Sequence, residues 1–263
     1  MRPIAIVLAS LTLPVALSAA DTEANNYWLR VSASAWLPAL SGDLSYRQGN
    51  GLANKTSTDS LGLGDSELTP MLDLDIKPPL IPFIPNLHVG FYNFSTDGSE
   101  TLTSNLTFGG RTFSAGTNIT SKAALTDIYA ELNWQPLDLD LVGVGLGFGA
   151  HSMQAEFTIS GGGFSEKLDS PAVIPVLALR AHVNPLDVLG IEVEANGISA
   201  NMGDFDGTFL DLRLQAVYRP INWLGVVGGY RHVLLDADIT DGSNKITFDL
   251  TFSGPYLGAL VQF

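Results

Sequence analysis

The most constraining feature of this sequence is a strict two-residue alternation that runs much longer than in an ordinary strand. From Thr208 to Arg219, residues Leu210, Leu212, Leu214, Ala216 and Tyr218 alternate with Phe209, Asp211, Arg213, Gln215 and Val217. Between Asp127 and Trp134, Ile128, Ala130, Leu132 and Trp134 stand opposite Tyr129, Glu131 and Asn133. A strand puts successive side chains on opposite faces, so each segment has one apolar and one mostly polar face; a helix would scatter the same residues around its axis.

Two kinds of connection take turns between these segments. One is short and carries proline: Pro78 to Asn86, Gln135 to Asp138, Asn184 to Asp187 and Arg219 to Asn222. The other is polar and glycine-rich: Gln48 to Gly51, Gly109-Gly110, Gly161 to Gly163, Gly203 to Gly207 and Asp241 to Asn244. Nine connections imply about ten strands, within a range of eight to twelve, in an antiparallel meander. A weak repeat, Pro136-Leu-Asp-Leu, Pro185-Leu-Asp-Val and Pro220-Ile-Asn-Trp, makes the hairpin the repeating unit.

Composition decides which face is dry. The chain has 263 residues, no cysteine, 46% hydrophobic and 15% charged residues and a net charge of −14. Without cysteine there is no thiol catalysis, disulfide framework or thiolate zinc site. The acidity excludes nucleic acid as a partner, because phosphate binding needs basic surface. Residues 1–20 read as a signal peptide: Arg2, an apolar run from Ile4 to Leu17, and Ser18-Ala19-Ala20 at the cleavage site. Residues 21–263 then form one domain. No later stretch is long and apolar enough for a membrane helix, and a meander of long strands fits a transmembrane barrel better than a soluble one. In such a barrel Tyr27, Trp28, Trp134, Tyr218 and Trp223 would form an aromatic belt beside the proline turns. The fold class expected is therefore all-β, a transmembrane antiparallel up-and-down β-barrel.

The chain ends Tyr256-Leu-Gly-Ala-Leu-Val-Gln-Phe263, with Leu257, Ala259, Val261 and Phe263 on one face. A terminal Phe preceded by alternating apolar residues resembles the assembly signal of bacterial outer-membrane barrels, which implies Tyr256 and Phe263 as its elements. The segments Leu61-Gly-Leu-Gly-Asp-Ser-Glu67, Pro79 to Asn86 and Gly228-Gly-Tyr-Arg231 resemble a family of small Gram-negative outer-membrane β-barrel proteins without an assigned activity. The resemblance implies outer-membrane location, with lipid, lipopolysaccharide and the barrel-assembly machinery as partners. It brings no catalytic residues, and it does not account for the hydroxyl-rich stretch from Ser95 to Lys122.

If Leu210, Leu212 and Leu214 face lipid, the opposite faces line the lumen. Alignment by the proline turns brings Asp73, Asp75, Glu131, Glu192, Glu194 and Asp211 to the depth of Arg180, Arg213 and Arg231. Charges in a narrow lumen must pair or hydrate. They form either a cross-linked polar core or a constriction that selects solutes. Gly143, Gly145, Gly147 and Gly149 make a bare stripe over which flanking side chains can meet, Glu131 and Arg180 first among them. The stripe is no phosphate loop, since no Gly-Lys-Ser/Thr follows.

His88, His151, His182 and His232 show no metal-ligand spacing, and neither a metal nor another cofactor is expected. Barrel proteases of the omptin type want an Asp-His pair near the rim and lipid A deacylases a His-Ser pair. This chain has no Asp-His dipeptide, and His151 and Ser152 point to opposite faces. The acidic clusters Asp65-Ser-Glu67, Asp204-Phe-Asp206 and Asp236-Ala-Asp238 with Asp241 could bridge divalent cations at an anionic leaflet, though solvated surface is the plainer reading. The expected function is a structural or small-pore barrel. An envelope enzyme acting on lipid or peptide, and a soluble periplasmic barrel binding an apolar ligand, are the alternatives.

Overall fold

A computed structural model describes residues 27–64, 67–78, 84–202 and 205–263. The signal peptide, Asp65 and Asp204 lie outside them. The strands are β1 (Leu29–Trp36), β2 (Ala39–Arg47), β3 (Thr56–Ser57), β4 (Thr69–Ile76), β5 (Asn86–Thr101), β6 (Leu106–Phe108), β7 (Arg111–Phe113), β8 (Asn118–Asp138), β9 (Val142–Gly161), β10 (Phe164–Leu186), β11 (Leu189–Met202), β12 (Phe205–Ile221), β13 (Leu224–Asp241) and β14 (Asn244–Gln262). One 3₁₀ turn, Asp59–Leu61, follows β3.

Each long strand pairs antiparallel with its neighbour, and β1 pairs with β14, so the sheet closes into a ring. β1 and β2 act as a single strand along β14. Arg30↔Gln262, Trp36↔Tyr256, Ala39↔Ser253 and Arg47↔Lys245 share one register across the break at Leu37 and Pro38. Pro38 has no N–H for the ladder, and opposite it the Trp36 indole N–H donates to the Gly254 carbonyl at 3.1 Å. The ring therefore has ten strands, with β6 and β7 forming a separate hairpin.

The repeated prolines do not sit in the turns. Pro136, Pro185 and Pro220 lie inside β8, β10 and β12. At each one the register shifts, between Trp134 and Leu137, Val183 and Leu186, and Tyr218 and Ile221. A missing N–H forces a bulge one step before the hairpin closes. At the other end, Gly162 (φ 57°) and Gly163 (φ 85°) make a two-residue turn with the positive dihedrals a tight hairpin requires. Long excursions at this end include residues 48–64 and 102–117.

Alternation holds around the ring. Leu146, Leu177, Leu214 and Leu257 point outward and are exposed, while Phe94, Tyr129, His151 and Arg231 point inward and are buried. Trp28, Trp134, Tyr218 and Trp223 are exposed beside the proline-rich turns, consistent with an interfacial belt. Tyr27 departs from the belt. Its ring lies beneath the Arg30 guanidinium at 4.1 Å and the Lys77 ammonium at 4.7 Å, two cations attracted to the ring face.

Candidate functional site: the charged half of the barrel interior

The inward face divides along the barrel axis. Toward the chain termini it carries charge. The glycine stripe explains how long side chains fit there: a Cβ on Gly149 would lie 2.7 Å from Glu131 Cγ, and one on Gly145 2.2 Å from Asn133 Oδ1. Glu131, Asn133 and His182 therefore lie across bare backbone.

Over that stripe Arg180 Nη2 is 3.0 Å from Glu131 Oε2, and Arg180 Nη1 reaches Asp75 and Glu194, each at 3.2 Å. Arg213 Nη1 donates to Asp73 at 3.1 Å and lies 3.6 Å from Glu194. Arg231 holds Asp211 with two donors, Nε at 3.0 Å and Nη2 at 2.6 Å. Glu192 accepts from Arg30 Nη1 at 2.9 Å and from the Gln215 amide at 2.6 Å. The nine charged residues named from the sequence thus share one inward face, in three clusters tied by arginines.

Several members were not assigned to this cluster from the sequence. Arg30 belongs to the ring closure. His88 Nδ1 is 2.7 Å from Asp75. The Tyr129 hydroxyl donates to Asp73 at 2.6 Å and accepts from Arg213 Nη2 at 2.6 Å. Asn196 donates to Glu131 at 2.6 Å. Tyr256 points inward and donates to Gln215 at 2.6 Å, so it packs in the lumen whatever part it plays in assembly. Their common signal was inward parity, which sequence alternation shows only once the register between strands is known.

Asp-His pairs, absent as dipeptides, form across strands: His88 with Asp75 in the charged half, and His151 with Asp127. His151 Nδ1 is 2.8 Å from Asp127 Oδ2, with both side chains fully buried. The imidazole stacks on Tyr129 at 4.9 Å and packs on Phe209 at 4.7 Å. This pair sits on the floor of the apolar half, away from any rim. Ser152 is exposed on the opposite face. Among the described residues no group of three or more acidic or histidine side chains could hold a metal ion.

Toward the opposite end the interior is apolar. Leu40, Leu44, Phe94, Leu125, Phe157, Phe248, Leu250 and Phe252 fill it, none more than 3% exposed. Phe94 meets Phe252 edge to face at 5.2 Å. Two excursions close the mouth above them. Leu61 and Leu63 enter from the segment after β3, and Leu106, Phe108 and Phe113 come from the β6–β7 hairpin. Phe108 packs on Tyr46 at 5.4 Å. The hydroxyl-rich stretch thus contains a lid, tied at its hairpin by Thr107 and Thr112 hydroxyls 3.0 Å apart.

No family model matches the sequence, and no curated protein matches it. Among solved structures it is similar to the outer membrane protease OmpT from Escherichia coli, with 11% identity, 89% of this chain and 97% of that chain covered, and a TM-score of 0.56. Weaker likenesses include the translocator domain of the autotransporter NalP from Neisseria meningitidis, with 11% identity, coverage of 91% and 90%, and a TM-score of 0.44. Another is the transport unit of the autotransporter AIDA-I from Escherichia coli, with 10% identity, coverage of 97% and 94%, and a TM-score of 0.42. At such identity the likeness speaks of fold alone, and the apolar outward band of this chain supplies the rest. The chain has the fold of an outer-membrane β-barrel, with ten strands and an apolar outward band.

Proposed function

We propose that this protein is a closed barrel with a structural role in the outer membrane, rather than an open solute pore or an envelope enzyme. The observation that carries this reading is the filled interior. Among the described residues, two lumen cavities in the charged half measure about 20 and 50 Å³, room for a few waters. In the apolar half, close-packed Leu and Phe side chains leave nothing to hydrate a passing ion. The paired charges then act as cross-links between strands. The Asp127–His151 pair has no path to a substrate, which supports packing over catalysis.

The lipid-facing wall favours lipid and lipopolysaccharide as its surroundings. The terminal strand fits recognition by the barrel-assembly machinery, with Phe263 at the interface and its carbonyl accepting from the Trp28 N–H at 2.7 Å. Planar-bilayer recording of the mature barrel tests the central claim: it should show no steady conductance. A stable ohmic step whose reversal potential follows the salt gradient would sink it. Deleting Phe263 should lower the amount of heat-modifiable barrel on cold SDS gels, and unchanged amounts would remove the assembly role.

A further inference from the structure

The arginines of the charged half are matched to carboxylates, with one exception. Arg30, Arg180, Arg213 and Arg231 each hold an acid at 3.1 Å or less. Arg219, near the end of β12, does not. It is 3% exposed, yet its Nε, Nη1 and Nη2 all lack a hydrogen-bond partner among the described residues. The charged groups that face it are Arg30 and Glu192. Glu192 is already taken, by Arg30 Nη1 at 2.9 Å and by the Gln215 amide at 2.6 Å. Arg30 itself keeps Nε and Nη2 without acceptors. Two guanidiniums therefore share one carboxylate, and a buried positive charge is left uncompensated.

The space beside Arg219 has a defined shape. Gly190 on β11 leaves its inward face bare: a Cβ there would lie 2.8 Å from Asn184 Oδ1 and 3.3 Å from Arg219 Nη2, with no other atom within 4 Å apart from its chain neighbours. One empty point is thus within hydrogen-bond reach of an acceptor on β10 and a donor on β12. Asn184 Oδ1 also lacks a partner. Its orientation is fixed, because the Asn184 amide donates to the Asp140 carbonyl at 2.8 Å and a flip would set two oxygens face to face. An oxygen at the empty point that carries a hydrogen would donate to Asn184 and accept from Arg219. Solvent is near, since residues 185–188 and 221–223 at the adjoining turns are exposed.

A water there makes both hydrogen bonds but brings no charge, whereas a carboxylate or a sulfate brings charge but no hydrogen at neutral pH. Inorganic phosphate brings both. It keeps an O–H at neutral pH, while a phosphate ester loses its last one at about pH 6. We infer that Arg219, Asn184 and the bare face of Gly190 form a binding seat for the inorganic phosphate ion, with its O–H on Asn184 and its charged oxygens on Arg219 and the free side of Arg30. The ion neutralises the surplus guanidinium and ties β10, β11 and β12 together at one end of the ring.

The test is calorimetric titration of the mature barrel, in an uncharged glycoside detergent at neutral pH, with sodium phosphate as the probe. Binding should saturate at one phosphate per barrel. Sodium sulfate, which has the same shape without the hydrogen, should bind about tenfold more weakly, and glycerol 3-phosphate, standing for a lipid-borne phosphate, should do no better than sulfate. Arg219→Met removes the charge and Gly190→Ala fills the seat, so each should lower phosphate affinity by about tenfold or more. Lys245→Met, at the other end of the barrel, should change nothing; heat modifiability on SDS gels confirms that each variant is folded. Absence of saturable heat, equal affinity for phosphate, sulfate and the ester, or phosphate binding that survives Arg219→Met would overturn the seat and leave Arg219 to water.

Discussion

The two halves of this barrel interior solve one packing problem by opposite means. In the lidded half, Phe94, Phe157, Phe248 and Phe252 fill space with groups that need no partner. In the half nearer the termini, four arginines and their carboxylates fill the same cross-section with groups that cost several kcal/mol each when unpaired. The difference teaches that burial alone says little about how an interior will respond to change. An apolar residue is lost by itself, whereas a paired charge takes its partner's environment with it.

The largest effect should come from Arg231. It is fully buried against Trp36, Tyr92 and Tyr129 with its carboxylate at 2.6 Å. Arg231→Leu should cost about 4 kcal/mol in a urea series in lipid vesicles, because Asp211 is left charged among rings. Adding Asp211→Leu should recover much of that loss. If the double variant is no better than the single one, the cost belongs to packing, and the contrast between the halves fails.

Phe252→Ala should cost about 3 kcal/mol by leaving a cavity beside Phe94. Combined with Val233→Ala, an inward residue of the neighbouring strand, its cost should be close to a simple sum. Strong rescue there would show that the apolar half is as coupled as the charged one. For Glu131→Ala with Arg180→Ala, the double variant should fall short of the sum by on the order of 1 kcal/mol, since Arg180 also serves Asp75 and Glu194. Strict additivity would mean that water screens the pair and that the lumen is wetter than its packing suggests.

The smallest effect belongs outside the barrel interior. Asp238 accepts from the Thr247 hydroxyl at 2.6 Å and from Lys245 at 2.9 Å, which hold its carboxyl below the usual range. A carboxyl depressed in the folded state stabilises above its unfolded pKa, and that contribution disappears as pH falls through the folded one. Asp238→Asn should therefore remove about 0.5 kcal/mol or less at pH 7, and progressively less as the pH falls, as a pH series of thermal unfolding would show. A loss that does not change with pH would assign the effect to shape instead of charge.

How much of this was legible in the sequence follows from the range of the signals. Alternation in Thr208 to Arg219 needs only neighbours two residues apart, so inward and outward faces can be read directly. The paired glycine stripe works in the same way. His151 and Asp127 are 24 positions apart, and their pairing depends on the offset between β8 and β9, which no local pattern fixes. Pro136, Pro185 and Pro220 mark hairpins correctly, yet a bulge and a turn need the same missing donor, so their place inside the strands is invisible in sequence. Tyr27 was misplaced because an aromatic beside a turn can face lipid or cations equally well. The lid was hidden by composition, since Leu106, Phe108 and Phe113 are scattered among hydroxyl residues.

Arg30 gives the ring closure a form of proofreading. Its partner Glu192 is 162 positions away on β11, and its neighbour on the closing strand is Gln262. A slip of one residue between β1 and β14 would turn Arg30 and Trp36 out into hydrocarbon and leave Glu192 unmatched. Wrong registers are thereby penalised at the last step, when the final strand meets the first. Closure should accordingly be slow and all-or-none, with late intermediates holding a nearly complete sheet whose ends have not joined.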